Sequence, residues 1–351
     1  MDKEKLIKPG VREGCVLVPS SKSIAHREII AAFLSSVQEP VVRGQSNDIL
    51  ATKACLKAMK SGTGVWPCGE SGSTLRFLEP LAGVLGFEGE FLLEGRLKDR
   101  PRMFFEDKEV YEIKGDVSSQ FISGLLMALP LAKHDSVIKV VGKLESRGYV
   151  NLTLDVLKAA KIRVEETSDG WKIFGNQRYA IEGGREVEGD WSQAAFFLAM
   201  KVRVDGLNPN SKQGDRAVIW LLEKDDVDAS MVPDLIPALA AHAAIRTGET
   251  RFFNCARLRL KESDRLESTC RMVNSAGGSA RIVGDDLIVS GKEVLAGGRI
   301  DTFSDHRIAM ASTILATKSI GPIVLNDATV VSKSYPRFWE DFESLHVKDS
   351  V

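Results

Sequence analysis

The chain has 351 residues, 44% of them hydrophobic and 27% charged, with a formal net charge of −1. That length allows two domains with cores of their own, and a near-zero charge argues against a general nucleic-acid binder, which would be basic overall. The five cysteines form no CxxC pair, the histidines form neither HxH nor HExxH, and no Gly-Lys-Ser/Thr or GxGxxG motif follows a strand-like run, so no metal, disulfide framework or nucleotide cofactor is expected.

In chain order, Met1-Asp2-Lys3-Glu4-Lys5 carries neither a signal nor a transit pattern, and no apolar run approaches the length of a membrane span. A cytoplasmic chain without a membrane partner is the expectation. The first structured feature is Pro19-Ser20-Ser21-Lys22-Ser23-Ile24-Ala25-His26-Arg27, where hydroxyls and two cations crowd the start of an alanine-rich apolar stretch. Proline and serine stop and cap, so a helix is predicted from there to about residue 34. A helix start offers unpaired N–H groups and partial positive charge, which attract anions. Taken alone, the stretch is equally a well-capped helix with solvated basic residues.

The pattern recurs. Glu70-Ser71-Gly72-Ser73-Thr74-Leu75-Arg76, Asp116-Val117-Ser118-Ser119-Gln120, Gly189-Asp190-Trp191-Ser192, Val232-Pro233-Asp234 and Ser304-Asp305-His306-Arg307 each lead into a body of small apolar residues. Helices apolar nearly all round are buried. The six starts lie roughly 45 to 70 residues apart, the signature of a repeated supersecondary unit. Between them, more amphipathic helices over residues 152–160 and 265–276 each run into a hairpin and a third strand. The first set is 162–164, 171–173 and 179–181; the second is 280–283, 287–289 and 298–300. Adding the buried helix and the strand before it gives a βαβαββ unit. Three junctions are abbreviated: residues 61–69 after a helix over 49–59, residues 101–115 with one strand at 110–113, and residues 224–232 after a helix over 220–223.

At this point the motifs resemble the enolpyruvyl transferases, specifically the EPSP synthase family. The matching segments run in family order from residue 19 to residue 336. They are Ser21-Lys22-Ser23 with Arg27, Ser71-Gly72-Ser73-Thr74-Leu75-Arg76, Lys98-Asp99-Arg100-Pro101, Val117-Ser118-Ser119-Gln120-Phe121 and Ser146-Arg147-Gly148-Tyr149. Asn210-Ser211-Lys212-Gln213-Gly214-Asp215, Pro233-Asp234, Lys261-Glu262-Ser263-Asp264-Arg265, Asp305-His306-Arg307 and Lys333-Ser334-Tyr335-Pro336 complete the set. One such motif is weak evidence; so many in order are strong. The resemblance implies an α/β (α+β) chain, a two-domain inside-out α/β barrel of six βαβαββ repeats, several of them shortened. It places residues 18–205 in one lobe and residues 1–17 with 206–351 in the other, with the active site in the cleft between them.

Basic residues beside helix starts, with hydroxyls nearby, suit phosphate and carboxylate groups. The resemblance implies that Ser118, Ser119, Ser146 and Tyr149 hold the phosphate end of shikimate 3-phosphate. It gives Ser23 and Arg27 to that substrate's carboxylate and lays Gln120 against the ring, with Asp234 and Lys261 beside the same substrate. Lys22, Gly72, Arg100, Gln120, Arg265, Arg307 and Lys333 surround phosphoenolpyruvate. The implied reaction is carboxyvinyl transfer in the shikimate pathway by addition and elimination, without metal or cofactor, and in a monomer. Acid–base groups are needed near the reacting hydroxyl and near the methylene carbon. Asp234, read as a helix cap, is the candidate partner of the hydroxyl, with Lys22 beside it. Glu262 is the candidate for proton exchange with the methylene. On residue type alone, Asp234 is better explained as an N-cap after proline.

The chain is several tens of residues shorter than the usual member, and the losses fall at the three short junctions. Glu70, Phe77 and Gly148 are smaller departures beside binding motifs, bearing on affinity for phosphoenolpyruvate or its mimic glyphosate. The nearest rival is the UDP-N-acetylglucosamine enolpyruvyl transferase. Its reactive cysteine would lie in the loop that here reads Gly95-Arg96-Leu97-Lys98-Asp99. A rival of another class is a trimmed, non-catalytic binder of phosphate ligands.

Overall fold

Each of the six apolar stretches forms a buried helix in the computed structural model, which describes residues 3–348. The helices are α1 (Lys22–Ser35), α2 (Asn47–Ser61), α3 (Gly72–Leu85), α4 (Ser119–Ala128), α5 (Arg147–Ala159), α6 (Trp191–Ala199), α7 (Val218–Leu221), α8 (Ile236–Ala244), α9 (Arg265–Ser275), α10 (His306–Ala316) and α11 (Phe338–Glu343). The six are α1, α3, α4, α6, α8 and α10; every residue of α8 and α10 is buried. Small side chains make that possible. A Cβ on Gly124 of α4 would sit 2.0 Å from the Arg76 carbonyl oxygen of α3, so only glycine lets these helices touch here.

The strands begin with β1 (Lys5–Ile7), β2 (Val11–Glu13), β3 (Cys15–Leu17), β4 (Val65–Gly69), β5 (Glu90–Leu93), β6 (Val110–Lys114), β7 (Ser136–Val141), β8 (Val164–Glu166) and β9 (Gly170–Ile173). They continue with β10 (Arg203–Asp205), β11 (Asp226–Asp228), β12 (Glu249–Phe253), β13 (Ser279–Val283), β14 (Asp286–Ser290), β15 (Gly298–Ile300), β16 (Ile323–Leu325) and β17 (His346–Lys348). Strands flanking a buried helix pair in parallel: β4 with β5 around α3, β6 with β7 around α4, β11 with β12 around α8, β15 with β16 around α10. Parallel neighbours need a crossover, and each of these four helices supplies one.

Two repeats are complete. β6-α4-β7-α5-β8-β9 forms a sheet in the order β6-β7-β9-β8, and β11-α8-β12-α9-β13-β14 forms one in the order β11-β12-β14-β13. The order is the same in both, which accounts for the repeated pattern of caps. The third strands differ from expectation. Residues 179–181 form no strand: Ala180 N–H bonds the carbonyl of Ala160 and Ile181 N–H bonds Ser35 Oγ, so helix ends take that backbone. Residues 298–300 do form β15, but it pairs with β16 and opens the next repeat instead of joining the hairpin sheet. At the short junctions one strand stands where the complete repeats have a hairpin: β4 after α2 and β11 after α7.

The chain divides into two compact units, Ser20–Val187 and the stretch up to Pro19 together with that from Glu188 onward. The division at residues 187 and 188 lies before the position 205 expected from sequence. The reason is packing: Trp191, Phe196 and Phe197 of α6 share one apolar core with α8 and α10. In that unit Phe338 of α11 packs against Phe196, Phe197, Tyr335 and Trp339. In the other unit, α1, α3 and α4 contribute to two adjoining apolar clusters. Among the described residues no helix is long and apolar enough to cross a membrane.

Candidate active site

Within residues 20–187 the starts of α1, α3, α4 and α5 carry the expected binding residues. Lys22, the first residue of α1, holds its ammonium 2.7 Å from Asp48 Oδ2 in the first turn of α2. Gly72 opens α3, where a Cβ would lie 2.6 Å from Arg76 Nη1 and 3.2 Å from Arg100 Nη1. The missing side chain is what allows two guanidinium groups to converge there. Arg76 donates to Gln120 Oε1 (2.8 Å) and to the Pro101 carbonyl (3.2 Å), and Gln120 Nε2 donates to Ser73 Oγ at 2.9 Å. Gln120 is thereby fixed between two helix starts. Ser118 caps α4, its Oγ accepting the Gln120 N–H, with Ser119 buried behind it. Ser146 begins α5 in the left-handed region (φ 53°), a conformation uncommon for a residue with a side chain.

Arg27 occupies a deeper place than a surface ligand would. It is 2% exposed; Nε donates to Thr153 Oγ1 (2.7 Å), Nη2 to Ser123 Oγ (3.2 Å) and the Tyr149 carbonyl (2.9 Å), and Nη1 to the Ser23 carbonyl. The guanidinium also stacks on Phe77, 4.8 Å from the ring centre. Burial lowers it to about 9, so it stays charged at neutral pH. It ties α1, α4 and α5 together and fixes the backbone of Ser23 and Tyr149.

In the other unit, the segments before α8, α9 and α10 bring three cations and three carboxylates together. Asp234 Oδ1 accepts from Arg265 Nη1 (2.9 Å) and Lys261 Nζ (3.3 Å), and Oδ2 from Arg307 Nη2 at 3.1 Å. Its carbonyl accepts from Arg307 Nη1 at 2.9 Å. Asp234 is therefore not a helix cap. α8 starts two residues later, with Leu235 at the cap position and no side-chain cap bond, because the carboxylate is committed to three cations. Burial alone would raise the Asp234 carboxyl, but Arg307, Lys261 and Arg265 outweigh it and hold it well below the usual range. The same burial lowers Lys261 to about 8, although Asp234 pulls the other way.

Arg265, 1% exposed, is the hub. It pairs with Glu262, with Asp234, and through Nε with Asp305 Oδ2 at 2.9 Å. Asp305 also accepts from Ser263 Oγ (3.0 Å) and caps α10 through the Arg307 N–H (3.0 Å). Arg307 Nη1 further donates to Ser192 Oγ of α6 at 2.7 Å. Lys333, nearly buried, ends the turn Thr329–Lys333. Two carboxylates were missed as partners in the sequence reading. Asp48 had only a first-turn position after the capping Ser46 to mark it, and Asp305 was legible only as a cap.

A repeated β-α fold whose helix starts carry clustered cations and acid–base carboxylates is the architecture of an enzyme acting on small anions. A family model described as EPSP synthase (3-phosphoshikimate 1-carboxyvinyltransferase) matches residues 105–228 and 219–342. The 3-phosphoshikimate 1-carboxyvinyltransferase of Clostridium kluyveri is 38% identical over 411 aligned positions, covering 97% of this chain and 96% of the relative. That of Clostridium perfringens is 36% identical over 417, covering 98% of each. An EPSP synthase structure from Acinetobacter baumannii, 20% identical, shares the fold with a TM-score of 0.76 over 99% of this chain and 100% of that one. The chain belongs to the EPSP synthase family, and is a transferase. These names do not favour the UDP-N-acetylglucosamine enzyme. An alignment of 411 positions on a chain of 351 residues also shows that this chain lacks internal segments its Clostridium kluyveri relative carries.

Proposed function

We propose that the protein transfers the carboxyvinyl group of phosphoenolpyruvate to the 5-hydroxyl of shikimate 3-phosphate and releases phosphate. The observation that carries this reading, within a chain of this family, is the Asp234 carboxylate held by Lys261, Arg265 and Arg307 beside Glu262. In the addition, the hydroxyl oxygen bonds to the central carbon of phosphoenolpyruvate, the hydroxyl loses its proton and the methylene gains one. In the elimination, the new methyl group returns a proton as the carbon–oxygen bond to phosphate breaks.

Asp234 is too acidic to keep a proton at neutral pH, so it orients the hydroxyl as a hydrogen-bond acceptor. Glu262 exchanges the proton with the methylene carbon, and Lys22, paired to Asp48, takes part at the hydroxyl. Arg265, Arg307, Lys333, Lys22 and Arg100, with Gln120 and the open backbone at Gly72, hold the charges of phosphoenolpyruvate. Ser118, Ser119, Ser146 and Tyr149 take the phosphate of shikimate 3-phosphate, Ser23 its carboxylate, and Gln120 and Lys261 its ring face. Arg27 serves that carboxylate site by fixing Ser23 and Tyr149.

We take the working form to be a monomer. Five free cysteines suit the reducing cytoplasm. The test is phosphate release from phosphoenolpyruvate with shikimate 3-phosphate, in the wild type and in Asp234→Ala. Turnover lost in the variant is the expected result. Binding of both ligands by the wild type without turnover would identify a non-catalytic binder instead.

A further inference from the structure

Beneath the starts of α1, α2 and α3 runs a line of buried polar side chains that the reaction does not use. His26 Nδ1 lies 2.7 Å from Thr52 Oγ1, which lies 2.7 Å from Thr74 Oγ1. Thr74 Oγ1 in turn lies 2.7 Å from Ser71 Oγ and 3.3 Å from the Asp48 carbonyl oxygen. None of His26, Thr52, Thr74 and Ser71 is more than 1% exposed, and Ile49, Leu75 and Phe77 of the same helices lie in the surrounding apolar core. Hydroxyls in such a place cost stability unless each is bonded, so the line holds as a unit or not at all.

Its direction follows from proton counting. A carbonyl only accepts, and each threonine hydroxyl has one proton to give. With Thr74 giving its one proton to Ser71 Oγ at 2.7 Å, and more weakly to the Asp48 carbonyl at 3.3 Å, Thr74 accepts from Thr52, and Thr52 accepts from the ring of His26. The line also joins helices whose first turns carry assigned groups: Lys22 on α1, its partner Asp48 on α2, and Gly72 on α3. The Asp48 carbonyl at its end belongs to the residue whose carboxylate holds Lys22.

We infer that His26 is the neutral Nδ1–H tautomer and that His26, Thr52 and Thr74 are positioning residues, setting the register of the three helix starts that form the phosphoenolpyruvate side of the site. Burial lowers His26 to about 3, in keeping with a ring that stays neutral. His26 Nε2 has no hydrogen-bond partner among the described residues, as a bare ring nitrogen facing an apolar core would not.

The kinetic part rests on the reading of Lys22 and Gly72 as phosphoenolpyruvate ligands; the tautomer does not. Long-range proton–nitrogen NMR of the full chain at neutral pH is expected to show His26 protonated at Nδ1, and protonation at Nε2 overturns the direction of the line. Thr52→Val, which keeps shape and removes the hydroxyl, is expected to raise KM for phosphoenolpyruvate about five- to tenfold. KM for shikimate 3-phosphate should stay within about twofold, and Thr52→Ser should restore the wild-type value. An equal rise in both KM values, or none in either, overturns the positioning role. Absence of wild-type turnover would strike the functional reading alone. Should Thr52→Val fail to fold, the wild-type tautomer decides.

Discussion

Asp234→Asn is the substitution that most directly probes the cluster of three cations and three carboxylates. Asparagine keeps the shape and one acceptor oxygen, so Arg265 can still bond at Oδ1, but the charge shared by Lys261, Arg265 and Arg307 is gone. Hydrogen bonds to charged groups contribute about 1.5–3 kcal/mol and neutral ones about 0.5–1.5 kcal/mol. Losing about 1 kcal/mol at each of three bonds predicts a loss of about 3 kcal/mol, or roughly 6–12 °C in the melting of a unit of this size. The carboxylate side chain is 23% exposed, which keeps the figure below that for breaking a fully buried pair. Because Asp234 is held below the usual carboxylate range, its contribution is present above the unfolded value and lost only as pH falls through the lowered one. The stability gap between wild type and variant should therefore persist to about pH 4 and close below it. Turnover should fall by about 10²–10⁴ as the hydroxyl loses its charged acceptor. Phosphoenolpyruvate affinity, read by calorimetry, should hold or tighten, since the cluster gains one net positive charge. Turnover within about threefold of wild type, with an unchanged melting temperature, would refute the assignment.

Four further outcomes are expected. In Gly72→Ala the new methyl would stand 2.6 Å from Arg76 Nη1, so KM for phosphoenolpyruvate should rise at least about tenfold with little change for shikimate 3-phosphate; equal changes would disprove a selective role. Lys22→Ala should abolish turnover in the phosphate-release assay; near-normal activity would sink its place at the reacting hydroxyl. Lys261, lowered to about 8, loses its charge above that pH, so kcat/KM for shikimate 3-phosphate should decline above about pH 8, and Lys261→Arg should move that decline upward. The same lowering means the unfolded chain holds this proton longer than the folded one, so this group's contribution to stability rises between about pH 8 and 10.5.

The helices were legible because their signals are local. A polar start followed by small apolar residues predicts a buried, capped helix wherever it occurs, and α1, α3, α4, α6 and α10 begin within a residue or two of their predicted caps. Position 234 misled because aspartate after proline has the composition of a cap whether or not its side chain is used as one. The strands at 179–181 failed for a related reason: alternating apolar residues show burial, but only a neighbouring strand makes a ladder.

By itself the sequence determined the repeated unit, the six buried helices and the family motifs in their order, from which the residues proposed for the site are named. The tertiary structure alone decided how those residues spend their charge. Lys22 meets Asp48 across 26 positions, Arg265 meets Asp305 across 40, and Arg27 reaches Thr153 across 126. Local spacing cannot report such pairings, because they depend on how helices from different repeats pack. Arg27, for one, is bonded to Ser23, Ser123, Tyr149 and Thr153, and so joins α1, α4 and α5.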